Sequence, residues 1–344
     1  MSVTIADVAE LAGVSASTVS LVLNNKGNIS RDTREKIFEA VKVSGYKVKK
    51  YHNKSYKDEN SKKIGILYNR SNGSNLNNNP FYSEIMEGVE DSLRDYDFHI
   101  FFKTLSGDYE TDNFEILQLI KDQDLAGLIL ISYGISKKLI MKIHRTHLPL
   151  ILVDNELWEE NIDCVMCDNI RGAGKIVNYL IEKGHKKIAF ISGPLSHTAM
   201  NERYLGYIQA LSRAGLNLNN EYIKIYDGSS FFVDEGYNMM MEIMKCQERP
   251  TAIFAAADVL AIGAMKALHE MGYTVPKDFS IAGFDDIDMS KQIVPALSTV
   301  RIFKRELGNL AGKRLFELIN GINSKAIKII VSEELIIRDS IADI

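Results

Sequence analysis

Two hydrophobic rhythms divide the chain. Up to Ser44 the apolar residues recur at helical spacing, and from Lys63 onward short continuous apolar runs alternate with amphipathic stretches. In the first part, Ile5, Val8, Ala9 and Ala12 share one face of a short helix, and Gly13 stands where the chain must reverse. Ser15 is placed to cap a second helix whose inner face is Val19, Val22 and Leu23. A third helix is expected from Ser30 to about Ser44, with Ser30 as cap and Ile37, Phe38, Ala40 and Val41 facing inward. Two small helices joined by a glycine turn make a helix-turn-helix, whose second helix fits a DNA major groove. Any three-helix bundle could contain such a turn; the order, spacing and caps together favour DNA binding.

In the second part the pattern predicts strands at 64–68, 98–102, 126–132, 150–153, 187–192, 222–226, 251–255 and 279–283. Helices are expected at 81–95, 110–123, 136–146, 169–183, 200–214, 233–245 and 258–271. Strands alternating with helices mean βαβ units, and uninterrupted apolar strands mean sheets covered on both faces. Too many strands arise for one comfortable sheet, so two lobes are expected. Between the two parts, residues 47–63 are polar and lysine-rich and read as a linker. It is either a solvated tether or a hinge lying on phosphate backbone.

Charge sharpens this division. Residues 1–63 hold 12 Lys/Arg against 7 Asp/Glu, net +5, while the remainder is −9 in a chain of net −4. A basic head on an acidic body suits a polyanion bound at one end only. The three cysteines, Cys164, Cys167 and Cys246, give no disulfide framework and fit a reducing compartment. Cys164 and Cys167 form a CxxC, but within an apolar stretch that reads as a strand, so core packing is the expectation rather than a metal or redox site. His144 and His147 have metal-like spacing without a nearby partner and read as a solvated helix end. No apolar run approaches the length of a membrane span, and no apolar signal core precedes the first helix.

Val14-Ser15-x-x-Thr18-Val19-Ser20-x-Val22-Leu23-Asn24 resembles the recognition-helix signature of the LacI/GalR family of bacterial repressors. The resemblance continues through Asn79-Pro80-Phe81-Tyr82, Asp168-Asn169-Ile170-Arg171-Gly172-Ala173, Gly184-His185-Lys186-Lys187-Ile188-Ala189 and Gly193-Pro194. Arg203-x-x-Gly206-Tyr207, Gly263-Ala264, Gly283-Phe284-Asp285-Asp286 and Glu306-Leu307-Gly308 extend it. Each match is weak alone; in this order along the chain they are specific.

The resemblance implies an all-α helix-turn-helix domain followed by a two-lobed α/β body like that of periplasmic sugar-binding proteins, with parallel doubly wound sheets. The domains expected are 1–46 for DNA binding, 47–62 as hinge, and 63–344 for effector binding and dimerisation. Within the body, lobe 1 is placed at about 63–163 and 299–325, and lobe 2 at about 164–298 and 326–344. It further implies a cytoplasmic bacterial repressor that binds a pseudo-palindromic double-stranded operator as a homodimer, associates with the nucleoid when bound, and needs no cofactor or metal.

Near DNA the expected residues are Ala16, Ser17, Ser20 and Leu21 toward bases, Thr4, Ser15, Thr18, Ser30 and Thr33 toward phosphates, and also Asn24 and Tyr46. Leu21 stands where the family often has Arg, so an apolar contact replaces a guanine contact. For the effector the expected residues lie beyond strand carboxyl ends: Phe81, Tyr82, Asp154, Arg203, Phe231 and Asp285. Acidic groups and Arg suit paired hydroxyls, and the aromatics suit the apolar face of a pyranose, so carbohydrate is the first reading and purine or nucleoside the second. Duller roles exist for each: Pro80 as a first helical residue, Asp285 as a turn residue, Arg203 in a surface ion pair.

Two departures from the family stand out. Ala257-Asp258 replaces the usual Asn-Asp, removing one polar contact. After Gly45-Tyr46 the hinge signature Pro-Asn-x-x-Ala-x-x-Leu is replaced by Val48, Lys49, His52 and Ser55. Catalytic signatures are missing: Gly172-Ala173-Gly174-Lys175 lacks the first glycine and the hydroxyl of a phosphate loop, and there is no GxSxG or HExxH. An enzyme is not expected. The rival from another class is a sugar-binding transport protein, against which the basic N-terminal module argues.

Overall fold

The computed structural model describes residues 4–23, 29–44, 62–69, 80–96, 98–106, 108–122, 125–131, 135–228 and 232–344. They fall into two compact units, residues 1–59 and 60–344.

In the first unit, α1 (Ile5–Ala12), α2 (Ala16–Leu23) and α3 (Arg31–Ser44) close around Val8, Ala9, Val19, Val22, Ile37 and Ala40. Thr4 and Asp7 form a capping box that engages the first amides of α1. Gly13 ends α1 at φ +65°, a left-handed conformation in which glycine avoids the Cβ penalty. Ser15 Oγ accepts the Thr18 amide at 3.1 Å, and Ser30 Oγ accepts that of Thr33 at 3.4 Å.

The second unit begins with β1 (Lys62–Asn69), α4 (Pro80–Leu93), β2 (Phe98–Leu105), α5 (Tyr109–Asp122), β3 (Leu125–Ile131), α6 (Lys137–His144), β4 (Leu150–Val153) and β5 (Asp163–Cys167). Then come α7 (Asn169–Glu182), β6 (Ile188–Ser192), α8 (Thr198–Arg213), β7 (Ile223–Ile225), α9 (Val233–Ile243), β8 (Ala252–Ala255), α10 (Asp258–Glu270) and β9 (Ser280–Ala282). A last stretch holds α11 (Asp288–Gln292), β10 (Thr299–Arg301), α12 (Lys304–Ile319), β11 (Lys328–Val331) and β12 (Glu334–Ile336).

Among the described residues one parallel sheet runs β11-β5-β4-β3-β1-β2 and a second runs β7-β6-β8-β9, while β10 and β12 pair antiparallel. The expected α/β body with two parallel sheets is what is found. Its strands β3, β4, β5, β6 and β8 are almost wholly buried, because helices cover both faces.

The lobe boundaries differ from expectation. Strand β5 hydrogen-bonds to β4, and β11 to β5, so both belong to the first sheet. The expected crossings near 164 and 325 therefore come one strand too early. The chain leaves the first sheet after Cys167, returns between Arg301 and Lys304, and leaves again after Val331. Arg314 fixes this corner. Buried on α12, it donates from Nε to Asp163 Oδ1 at 2.6 Å and from Nη2 to the carbonyls of Asn323 and Lys325. Cys164 and Cys167 are both buried in β5, where the protein interior raises their thiol pKa values, the first to about 12. That is the inert core packing the sequence suggests.

Candidate functional site

In the head, Ser15, Ala16, Ser17 and Leu21 are exposed and Thr18 and Ser20 half-buried, while Val19 and Val22 hold the helix to its core. The outward face of α2 is thus the one the sequence assigns to DNA. Ser15 is also engaged locally, with its Oγ 2.7 Å from Ser17 Oγ and 2.8 Å from Thr18 Oγ1. Thr4, Ser30 and Thr33 stand at helix starts, where amide groups and hydroxyls can meet a phosphate. Asn24 and Tyr46 lie outside the described residues, as do residues 47–61 of the linker.

In the body, Asp154 follows β4, Arg203 lies on α8 and Asp285 follows β9, all beyond carboxyl ends of strands. The structure brings these three together. Arg203 is 1% exposed, so it is no surface residue. Its guanidinium lies over the Phe284 ring at 3.9 Å, donates from Nε to Asn169 Oδ1 at 3.0 Å, and from Nη1 to the Ala256 carbonyl at 2.6 Å. Nη1 also stands 3.0 Å from Asp285 Oδ1 as an ion pair, while Asn169 is held by Glu202 at 2.9 Å.

Asp154 is the sharper case. Burial pushes its carboxyl up to about 7, the Arg203 charge opposing and the Asp285 and Glu202 carboxylates adding to the rise. Burial also raises Asp285, against Arg203 and Lys304. Among the described residues Asp154 Oδ1 and Ser192 Oγ, at the end of β6, have no hydrogen-bond partner, and Asp285 Oδ1 has only the Arg203 ion pair. Buried polar atoms are normally satisfied, so unpartnered ones at strand carboxyl ends mark a candidate place for a ligand. Both acids also have positive φ, +56° at Asp154 and +113° at Asp285, a strained backbone of the kind that gathers at functional sites.

The loop carrying Asp285 is fixed from below. Asp258, fully buried, accepts from the Ile287 amide (3.0 Å), Ser290 Oγ (2.7 Å) and Thr299 Oγ1 (2.6 Å). Burial and the Asp285 charge still push it up to about 7. Gly283 leaves room for it, since a Cβ there would come within 2.2 Å of Asp258 Oδ1. Asp286 takes Arg301 at 2.7 Å and Arg338 at 2.5 Å, and these partners outweigh burial and hold its carboxyl below the ordinary value.

The aromatic expectations divide. Phe81 is buried in the core, edge-on to Tyr82 with centroids 5.2 Å apart, so it packs rather than offering a stacking surface, and Tyr82 is half-buried. Phe231 lies outside the described residues. Gly172 packs against Phe284 and Glu333, a close approach of helix to neighbours rather than a phosphate cradle. Sequence reasoning did not single out Asn169, Ser192, Glu202, Asp258 or Phe284. Asn169, Asp258 and Phe284 lie within the family-like motifs, and Ser192 and Glu202 within the expected strand 187–192 and helix 200–214.

Similarity to known proteins decides the family. Residues 4–48 match the model for bacterial regulatory proteins of the lacI family, and residues 177–341 that for a periplasmic binding protein-like domain. The chain is 31% identical over 342 residues, 99% of each protein, to the HTH-type transcriptional repressor PurR of Mannheimia succiniciproducens. It belongs to the LacI family. Among solved LacI-family structures, a complex of the transcriptional regulator CelR with cellobiose matches with TM-score 0.75 and 28% identity, over 98% of this chain and 99% of that one. The lac repressor dimer bound to operator and the anti-inducer ONPF matches with TM-score 0.72 and 26% identity, over 99% and 100%. Among the described residues no group of His, Cys, Asp and Glu could hold a metal ion, and no single helix is long and apolar enough to cross a membrane.

Proposed function

We propose that this LacI-family chain is an effector-responsive transcriptional repressor, without catalytic activity, that binds a pseudo-palindromic operator as a dimer and responds to a neutral carbohydrate. The observation that carries the ligand reading is the balance of hydrogen-bonding groups in the crevice. Its unengaged buried atoms are Asp154 Oδ1, a carboxyl oxygen, and Ser192 Oγ, a hydroxyl, while Asp285 Oδ1 is turned to Arg203. Its buried cation, Arg203, already has Nε and Nη1 engaged. A ligand rich in hydroxyl donors fits this set. A purine, the second reading favoured by the similarity to PurR, requires donors for its ring nitrogens and carbonyl, and the site is poor in them. An anionic sugar would meet carboxylates.

Ligand binding that alters how the lobes meet shifts the dimer between DNA-competent and incompetent states, a population shift between two arrangements. The test joins two measurements. Footprinting on DNA upstream of the protein's own reading frame is expected to show a two-fold symmetric, salt-sensitive site. A thermal-shift screen of neutral sugars, sugar phosphates and nucleosides is expected to respond to neutral sugars, because a ligand held only by the folded state raises the melting temperature. Absence of salt-sensitive DNA binding under every ligand condition would overturn the repressor reading, and a response to nucleosides alone would overturn the carbohydrate one.

A further inference from the structure

The chain contains a single tryptophan, Trp158, and it stands 73% exposed. An exposed apolar residue is ordinary on its own; what sets this one apart is the hollow beside it. Trp158 lies four residues after Asp154, on the segment that joins β4 to β5. Opposite it, from the second lobe, come Leu195 and Ser196 of the loop after β6 and Asn201 in the first turn of α8. With Glu156 and Glu159 they enclose a hollow of about 330 Å³, at the small end of ligand-site volumes.

The same two segments carry the crevice residues. Asp154 precedes Trp158 on one wall, and Arg203 follows Asn201 by two residues on the other. The hollow thus lies along the two segments that carry the crevice residues, and its own lining holds neither Asp154 nor Arg203. The indole also has a charged neighbour. Lys328 Nζ stands 5.9 Å from its ring centroid, and that ammonium is paired with Glu156. An exposed indole with carboxylate, hydroxyl and amide groups beside it suits a sugar ring, whose C–H face is apolar and whose rim is hydroxyls.

We propose that Trp158 is the platform of a second sugar subsite at the mouth of the crevice, so that the effector has at least two sugar units. One unit occupies the crevice between Asp154 and Arg203, and the next lies on the indole. This rests on the carbohydrate reading above and narrows it to oligosaccharides.

The experiment uses the full chain, whose fluorescence at tryptophan excitation comes from this one indole. Glucose, galactose, mannose and ribose are compared with cellobiose, maltose, lactose and melibiose by calorimetry and by Trp158 emission. The expected result is a disaccharide that binds at least tenfold more tightly than its component monosaccharides and shifts the emission with the same Kd. Trp158→Ala is expected to remove that tenfold advantage and leave monosaccharide affinity unchanged, and Trp158→Phe to restore part of it. Disaccharides binding no better than monosaccharides would overturn the subsite while leaving the carbohydrate reading intact. So would a Trp158→Ala variant that loses both equally or neither. Silence of both series in the wild type would overturn the carbohydrate reading, and the subsite with it.

Discussion

Asp154 sets its chemistry against its place: a carboxyl group, buried, with one oxygen unpartnered and its backbone in a left-handed conformation. Such a group keeps a proton that the unfolded chain has released. With a folded value of about 7 against an ordinary 3.8, the folded state binds more protons than the unfolded one between those limits. Its contribution to stability therefore falls as pH rises through that window, by up to about 1.4 kcal/mol per pH unit for one proton. Asp258 acts in the same direction, and His197, held neutral by burial down to about 3, acts in the opposite one below its ordinary 6.5. The comparison of variants isolates Asp154. Asp154→Asn is expected to gain stability over the wild type as pH rises from 4.5 to 6.5, measured by urea unfolding across that range. Parallel curves would show that Asp154 titrates normally.

Strand-end residues such as Asp154, Arg203 and Asp285 were legible from sequence because a general rule places ligands there. Their supports were not. Asp258 is fixed by Ser290 and Thr299, 32 and 41 positions away, and Asn169 meets Arg203 across 34, and no local pattern records such distances. The same ambiguity limited the lobe boundary. Strand β5 reads correctly as a buried strand, but the sheet it joins depends on β11, whose sequence lies at the far end of the chain.

The helices α4 and α12 show how one kind of residue decides a crossing. A Cβ on Gly308 would sit 1.9 Å from the Ile85 carbonyl oxygen, and one on Gly88 would sit 2.0 Å from that of Arg305. The helices thus meet backbone to backbone, which only glycine permits. Arg305 adds an ion pair to Asp91 across the same crossing. This seam matters because α12 is the element by which the chain re-enters the first lobe just beyond the loop of Asp285. Gly308→Ala is expected to force the helices apart and cost about 1–3 kcal/mol. Gly174→Ala, in the middle of α7, faces open space at a negative φ and is expected to stabilise by about 0.5–1 kcal/mol through helix propensity. Chemical denaturation of the two variants checks both signs. If Gly308→Ala were neutral, the close crossing would not be a constraint on the folded state.

Binding to an operator draws on the whole molecule, and there the chain departs most from its family. Relatives resembling the signature quoted above carry a leucine that wedges into the minor groove, and this chain has Ser55 at that position. A serine cannot unstack a base step as an apolar side chain does. Lys47, Lys49, Lys50, Lys54 and Lys57 remain to neutralise phosphates. The expected consequence is shallower bending of operator DNA, lower discrimination between operator and random sequence, and a steeper dependence on salt than in relatives that keep the leucine. Energy transfer between the ends of a labelled operator measures the bend, and titrations at several salt concentrations measure the electrostatic share. Ser55→Leu is expected to deepen the bend and raise specificity. Tyr51 lies one turn earlier in this register, and Tyr56 directly follows Ser55. A strong bend in the wild type that Tyr51→Ala abolishes would assign the wedge to the tyrosine and overturn the expectation. A shallow bend unchanged by Tyr51→Ala leaves the lysines as what holds this linker to DNA.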